Sequence, residues 1–238
     1  MISRRTDILR TCGLMTAAAL FFLFMFTPVY WMVATSLMTE AEMLAVPPHF
    51  IPEAPTLRNY ATIFGIGDPE YIAFAQNRAP AVFDIFPAMI NSLTVGLCVA
   101  LANLLIASPA AYAFSRLNVR RSLPLLMVYL GSRMLPPIML VVPMFLLMRN
   151  FGLIDTPLSL IAAYCILTVP FSIWLLQAYF KTMPVELEDS AVIDGATRWQ
   201  TMRYVVLPLA RPGLTCVAIL AFMASWSEFL FAVVFTKT

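Results

Sequence analysis

The sequence has little charge. Asp, Glu, Lys and Arg make up only 12% of its 238 residues, whereas soluble domains contain about 25%. Hydrophobic residues make up 61%, and the mean hydropathy is +0.84. These values indicate an integral membrane protein. The net charge of +2 is too small to indicate a nucleic-acid partner.

Residues that carry chemistry are also scarce. The single histidine, His49, can form neither a Ser-His-Asp triad nor a histidine metal site. The four cysteines lie in or beside apolar runs without a CxxC pair, which is typical of packing residues: Cys12, Cys98, Cys165 and Cys216. We therefore expect no catalytic residue and no metal site in this chain.

A phosphate-binding loop is absent as well. The only lysines are Lys181 and Lys237, and neither follows a glycine. The G-x-x-x-x-G-K-[ST] pattern therefore does not occur, and we expect no nucleotide or other cofactor bound by this chain. If ATP drives its activity, the ATPase must be another polypeptide.

The sequence does contain long apolar runs, and a membrane span needs about 20 such residues. Five segments qualify, at about 12–36, 86–114, 123–147, 157–180 and 211–235. The basic start, Ser3-Arg4-Arg5-Thr6, looks like an export signal. The apolar run after it is longer than the roughly 7–15 residues of a signal peptide and has no A-x-A site, so we expect an uncleaved first span.

Basic residues predict the orientation, because Lys and Arg are enriched on the cytoplasmic side. With a cytoplasmic N-terminus, the inner segments hold Arg4, Arg5, Arg10, Arg116, Arg120, Arg121, Lys181, Arg198, Arg203 and Arg211. The outer segments then hold only Arg58, Arg78, Arg149 and Lys237. This pattern predicts a cytoplasmic loop at 181–210 and an outer loop at 38–85. The outer loop is rich in proline, so we expect it to be mostly extended, with a short helix near 58–64. Whether it caps an outer opening, contacts an external partner or only connects two spans stays open.

Two charges fall inside predicted spans. Arg133 lies about 18 Å along a helix from Arg121, and Glu228 about 25 Å from Arg211, at 1.5 Å per residue. A charge in the membrane costs at least about 2.5–3.5 kcal/mol, so each should face a partner or a wet cavity. A polar transport path would meet this requirement. A structural ion pair, or a contact with a second subunit, would meet it equally well.

The cytoplasmic loop has the pattern of two short amphipathic helices with a hinge at Gly195. Leu187, Ala191 and Val192 recur at helical spacing before the hinge, and Trp199 and Met202 resume it afterwards. We expect Pro208 and Pro212 to end the second helix. A loop patterned in this way predicts a docking surface, and the alternative is a passive helix pair on the inner leaflet.

This loop resembles the EAA loop of ABC importer permeases, whose pattern is EAA, three residues, G, nine residues, then I-x-LP. Here Asp189-Ser190-Ala191, Gly195 and Val205-x-Leu207-Pro208 stand at the same spacing, with Asp, Ser and Val as departures. Glu188 and the triplet Asp194-Gly195-Ala196 are similar to the carbohydrate branch, maltose-type permeases. Further segments resemble that branch: Thr35–Leu37, Pro55–Tyr60, Asn91–Leu93, Arg133–Pro137, Gly152–Thr156 and Trp226–Phe229.

The resemblance implies an all-α type I ABC importer transmembrane domain over 1–238, with five spans present of an expected six and the C-terminal span missing. Its expected place is the bacterial cytoplasmic membrane. Expected partners are a second permease, two ATPase subunits that bind ATP and Mg, and an extracytoplasmic solute-binding protein. The first loop helix would enter a groove on the ATPase. The implied coupling residues are Glu188, Asp189, Ser190, Ala191, Asp194, Gly195, Ala196, Val205, Leu207 and Pro208.

The expected function is ATP-driven import of a sugar, polyol or small glycoside, with Asn91, Arg133, Trp226 and Glu228 as candidates for the translocation path. One alternative is a non-sugar solute such as glycerol phosphate, carried by the same architecture. A secondary carrier or a membrane enzyme is a different class. A secondary carrier would usually have inverted repeats or acidic residues at the midplane, and we find neither.

Overall fold

The computed structural model describes residues 2–117, 124, 127, 128, 131 and 134–236. All regular secondary structure in these residues is helical. The chain divides into two compact units, Met1–Pro87 and Ala88–Thr238. The predicted fold class, an all-α membrane protein, is confirmed.

Three described helices are long and apolar enough to cross a membrane. They are Arg10–Ser36 within α1 (Ile2–Ser36), α5 (Ile85–Arg116) and α7 (Pro157–Lys181), each with a mean hydropathy of 2.0. The predicted segment 123–147 lies partly outside the described residues, and its described end belongs to α6 (Pro137–Asn150). A further bent pair, Arg198–Leu209 and Arg211–Trp226, meets at 79°.

In the first unit, the outer loop folds back on the end of α1. The loop contains α2 (Glu40–Met43), α3 (Arg58–Ile63), α4 (Pro69–Arg78) and a 3₁₀ turn, Pro80–Val82. The Asn59 Nδ2 donates to the carbonyls of Ser36 and Met38, both at 2.9 Å. The Tyr60 hydroxyl donates to Ser36 Oγ at 2.7 Å. Thr35–Leu37 and Pro55–Tyr60, two of the segments that resemble the carbohydrate branch, are therefore in direct contact.

The outer loop is more helical than its proline content predicts. Helix α4 begins directly after Asp68, whose carboxylate accepts a hydrogen bond from the Glu70 N–H at 3.1 Å. Pro69 then occupies the first turn, where its missing N–H costs no hydrogen bond. Pro69 therefore starts a helix instead of breaking one.

The second unit contains two apolar clusters. The first consists of Ala107, Ala111, Tyr112, Ile173, Leu176, Phe180, Met202, Val206, Ala210 and Val217. The second consists of Val95, Val99, Val141, Met144, Met148, Ala163, Tyr164, Phe231 and Phe235. Since α5 and α7 contribute to both clusters, these two helices form the frame of the unit.

A polar layer joins α5 and α7 between the two clusters. The Asn103 Nδ2 donates to Thr168 Oγ1 and to the Val99 carbonyl, at 2.8 and 2.9 Å. Its Oδ1 accepts from the Ser172 hydroxyl at 2.8 Å. Asn103 has no exposed surface, so these bonds satisfy a fully buried amide.

The predicted segment 211–235 is interrupted in the structure. Helix α11 (Arg211–Trp226) ends, and α12 (Leu230–Phe235) begins after a short break. The Glu228 carboxylate accepts hydrogen bonds from the N–H groups of Leu230 and Phe231, at 2.9 and 3.0 Å. These donors would have no partner at the start of a helix, and the carboxylate satisfies them. The predicted segment 211–235 is therefore formed by two helices.

Candidate functional site

The loop 181–210 forms two helical arms around Gly195. Helix α8 (Glu186–Ile193) is the first arm. Gly195 follows with φ of +87°, in the left-handed region. The Gly195 N–H donates to the Val192 carbonyl at 3.0 Å and the Ala196 N–H to the Ala191 carbonyl at 2.9 Å. This is a Schellman motif, which ends a helix and requires a residue that tolerates positive φ.

The second arm starts with a capping box. Helix α9 (Arg198–Thr201) is preceded by Thr197, whose hydroxyl accepts from the Gln200 N–H at 3.3 Å, while the Gln200 side chain accepts from the Thr197 N–H at 2.8 Å. The arm continues through a π-helical segment, Met202–Val206, and α10 (Leu207–Leu209). The arm ends at Leu209, one residue after Pro208, and meets the next helix, which begins at Arg211, at 79°.

The predicted coupling residues do not share one environment. Those exposed are Asp189, Ser190, Asp194, Gly195 and Pro208, and those half-buried are Ala191, Ala196, Val205 and Leu207. Glu188 is the exception, with 3% of its surface exposed. Ile193, absent from the predicted set, is 85% exposed at the tip of α8, beside the Gly195 turn. An exposed Ile at a loop tip is typical of a contact surface, but the sequence pattern marks it only as one more apolar residue.

Glu188 forms an ion pair with Arg116, the last residue of α5. The Arg116 Nε donates to Glu188 Oε1 at 2.6 Å. The Arg116 Nη2 donates to the carbonyls of Phe180 and Met183, both at 2.9 Å. The Tyr112 hydroxyl donates to Glu188 Oε2 at 3.1 Å. One guanidinium thus joins the ends of α5 and α7 to α8.

The second arm reaches the same cluster. The Arg198 guanidinium interacts electrostatically with the Tyr112 hydroxyl. Met202 and Val206 are buried against Tyr112 and Phe180 in the first apolar cluster. Sequence reasoning missed Arg116 and Tyr112, because neither residue belongs to the loop. The only signal for Arg116 in the sequence is its place at the end of an apolar run. The general enrichment of Arg and Lys on the cytoplasmic side already explains an arginine there.

Three of the four predicted path residues line one cavity of about 240 Å³. Its lining comprises Ala88, Asn91, Ser92, Val95, Leu160, Tyr164, Ser225, Trp226, Glu228, Ala232 and Thr236. Glu228 and Tyr164 interact within it. The fourth predicted residue, Arg133, lies outside the described residues.

This cavity combines hydrogen-bonding groups with an indole. Asn91 and Ser92 come from α5, Tyr164 from α7, and Glu228 from the break between α11 and α12. The Glu228 carboxylate is already bonded to two backbone N–H groups, which fix its position. These side chains can donate and accept hydrogen bonds, and the indole offers an apolar face beside them. Within the described part of the chain, no group of three His, Cys, Asp or Glu could hold a metal ion.

Comparison with known proteins identifies the family. Residues 103–237 match the family described as the inner membrane component of binding-protein-dependent transport systems. The match covers more than half of the chain, and the chain belongs to this family. It is a multi-pass membrane permease of the ABC importer class, as the EAA-like spacing predicted.

Several curated relatives are permeases of sugar transport systems. The chain is 35% identical to the sulfoquinovosyl glycerol transport system permease protein SmoH of Agrobacterium fabrum, over 88% of this chain and 68% of the relative. It is 33% identical to the trehalose/maltose transport system permease protein MalG of Thermococcus litoralis, over 98% and 78%. It is 28% identical to the diacetylchitobiose uptake system permease protein DasC of Streptomyces coelicolor, over 93% and 74%.

A solved structure has the same fold. A chain of a bacterial ABC transporter involved in the import of the acidic polysaccharide alginate matches with a TM-score of 0.80. The match covers 98% of this chain and 76% of that chain, at 20% sequence identity. This likeness concerns the fold alone.

Proposed function

We propose that this chain is a permease subunit of an importer for a sugar, polyol or small glycoside, driven by ATP hydrolysis on a separate subunit. The proposal rests on the agreement between the sequence pattern of the loop 181–210 and the transport systems for which the relatives are named. The loop has the importer spacing on an exposed turn, and the relatives above are named for carbohydrate transport. The chain lacks a phosphate-binding loop, so ATP and Mg belong to the partner ATPase.

The proposed contact with the ATPase is the exposed face of α8 and its turn. Asp189, Ser190 and Asp194 lie on this face, with Ile193 at the tip. Gly195 lets the chain reverse directly after the helix, so α8 can enter a groove end first. Ala191 and Ala196 are small and permit close approach, while Val205, Leu207 and Pro208 connect the loop to α11.

The proposed translocation path includes the cavity of Asn91, Trp226 and Glu228. Amide and carboxylate groups can bond sugar hydroxyls, and an indole offers an apolar face to the ring carbons. We propose Arg133 for the same path because of its predicted depth in the membrane. The path lies in the single transmembrane domain 1–238, with spans at the segments given above.

The proposed assembly contains this permease, a second permease, two ATPase subunits and a solute-binding protein outside the membrane. The location is a bacterial cytoplasmic membrane with the N-terminus and the loop 181–210 in the cytoplasm. This orientation is supported by the placement of basic residues.

Uptake by the complex in proteoliposomes, with ATP inside and the binding protein outside, tests this function. The panel contains maltose, trehalose, diacetylchitobiose, sulfoquinovosyl glycerol and glycerol 3-phosphate, each radiolabelled. We expect ATP-dependent uptake of a sugar or glycoside. Uptake of glycerol 3-phosphate alone would establish the non-sugar alternative. Uptake without ATP, by the chain alone, would establish a secondary carrier.

Charge reversal on the exposed face of α8 tests the docking surface. The Asp189→Lys variant should insert into the membrane normally, because Asp189 is exposed and outside the spans. We expect it to lose uptake and substrate-stimulated ATP hydrolysis, since it places a cation where the ATPase would dock. Normal transport by this variant would contradict the docking assignment.

A further inference from the structure

Glu188 is the only buried side chain of α8. Its neighbours Asp189 and Ser190 are exposed. A buried carboxylate is tolerated when it is paired and hydrogen-bonded, and both Glu188 oxygens have partners. At its one buried position, α8 is therefore attached to the rest of the unit by an ion pair and a hydrogen bond, and not by apolar packing.

Arg116 provides the other half of this attachment. Its planar guanidinium binds the Glu188 carboxylate on one side and the Phe180 and Met183 carbonyls on the other. These carbonyls belong to the end of α7 and the turn after it, where helical carbonyls have no intrahelical donor. Only an arginine has a rigid donor array that can bind all of these groups together.

We propose that Glu188 is a positioning residue that transmits movement of α8 to the cytoplasmic ends of α5 and α7 through Arg116, and that it does not contact the ATPase. This inference rests on the proposed function. It changes the role that the resemblance implies for Glu188, from docking surface to internal link. The exposed residues of α8 receive the force, and the buried ion pair passes it to two spans.

The two arms of the loop are held in different ways. The second arm is held by apolar packing, through Met202 and Val206. The first arm contributes no residue to either apolar cluster. Without the ion pair, α8 would remain joined to the chain at both ends and in contact with the second arm. A push on α8 would then reach α5 and α7 only through the apolar packing of the second arm.

The test compares Glu188→Gln and Arg116→Lys with two matched controls, Glu70→Gln in α4 and Arg149→Lys at the end of α6. Both control side chains are exposed and remote in sequence from the loop. Each variant is purified as the complete complex and reconstituted with the radiolabelled sugar that the wild-type complex imports best. The readout is the number of sugar molecules imported per ATP hydrolysed.

We expect Glu188→Gln and Arg116→Lys to retain the ATPase subunits and to hydrolyse ATP. The import ratio should fall about tenfold, within the range of roughly 5–150-fold that coupling free energies usually produce. The controls should keep the wild-type ratio. A merely structural role would lower uptake and hydrolysis together through loss of complex, which leaves the ratio unchanged.

If Glu188→Gln does not accumulate in the membrane, Tyr112→Phe removes a single hydrogen bond to Glu188 and should lower the ratio by a smaller factor.

Two results would overturn the proposal. One is a wild-type import ratio in Glu188→Gln, or in Tyr112→Phe if that variant replaces it. The other is loss of the ATPase subunits from the Glu188→Gln complex while Glu70→Gln retains them, because Glu188 would then be a docking residue. Failure of the proposed function would look different, since the wild-type chain would purify without any ATPase.

Discussion

Gly195 is the residue at which the chain between the two loop arms reverses. Its φ of +87° is the reason for glycine here, because a Cβ at this position would meet no atom within 4 Å. The residue type at position 195 is therefore restricted by the backbone conformation and not by the space available for a side chain. The sequence showed a glycine at the family spacing, and the structure gives the conformational reason for it.

Substitutions at Gly195 should therefore follow backbone preference and not side-chain size. The left-handed conformation costs most L-residues about 1–2 kcal/mol, and Asn is among the residues that enter it more readily. We expect uptake to decrease in the order Gly195, Asn, Ala, with Pro inactive because its φ is fixed near −65°. Initial uptake rates, normalised to the amount of chain in the membrane, measure this order. If Gly195→Ala is more active than Gly195→Asn, the conformational explanation is wrong.

At the scale of elements, the sequence predicted helices well where the apolar pattern alone determines them. Helices α5 and α7 lie at the predicted segments 86–114 and 157–180, because a long apolar run in a membrane has few alternatives to a helix. The break before α12 was not predicted. It depends on Glu228 bonding to N–H groups two and three residues further on, and such a local bond has no periodicity to detect.

Contacts between helices also decide which glycines tolerate a larger residue. A Cβ on Gly213 of α11 would lie 2.7 Å from Tyr179 Cδ1 and 2.8 Å from its Cγ, in α7. The Cγ lies next to the backbone, so the ring cannot easily move away. A Cβ on Gly13 of α1 would meet nothing within 4 Å. Both glycines lie in apolar helices, and only packing distinguishes them.

We expect Gly213→Ala to destabilise the protein by about 1–3 kcal/mol through overpacking between α11 and α7. Gly13→Ala is the matched control and should be neutral or slightly stabilising, since alanine favours a helix by about 1 kcal/mol over glycine. The unfolding temperature of the purified complex in detergent measures both. An equal unfolding temperature for the two variants would contradict the close packing at Gly213.

At the scale of the whole molecule, the orientation of the chain determines which loop meets which partner. The basic residues predict that Thr182 lies in the cytoplasm and Glu53 outside. Both residues are exposed, and Thr182 lies outside the proposed docking face. A single cysteine at each position, in a variant without the four native cysteines, tests this with a membrane-impermeant maleimide. We expect Glu53→Cys to react in intact cells and Thr182→Cys to react only after the membrane is opened. The reverse pattern would place the loop 181–210 outside and exclude an ATPase contact.

The sequence by itself determined the class of the protein and its family. Apolar runs indicated spans, the missing phosphate loop predicted an ATPase on another polypeptide, and the spacing from Asp189 to Pro208 indicated an importer loop. These features are local, since each depends on composition or on distance along one segment. Family membership follows from them and is confirmed by the match over 103–237.

Only the tertiary structure decided how the loop is attached. Glu188 and Asp189 are adjacent acids with nearly the same sequence signal, yet one is buried and the other exposed. The difference arises because Arg116, 72 residues earlier in the chain, lies at the end of a helix that packs beside the loop. Pairing across such a separation depends on the three-dimensional packing of helices, which a periodic pattern along one segment does not encode.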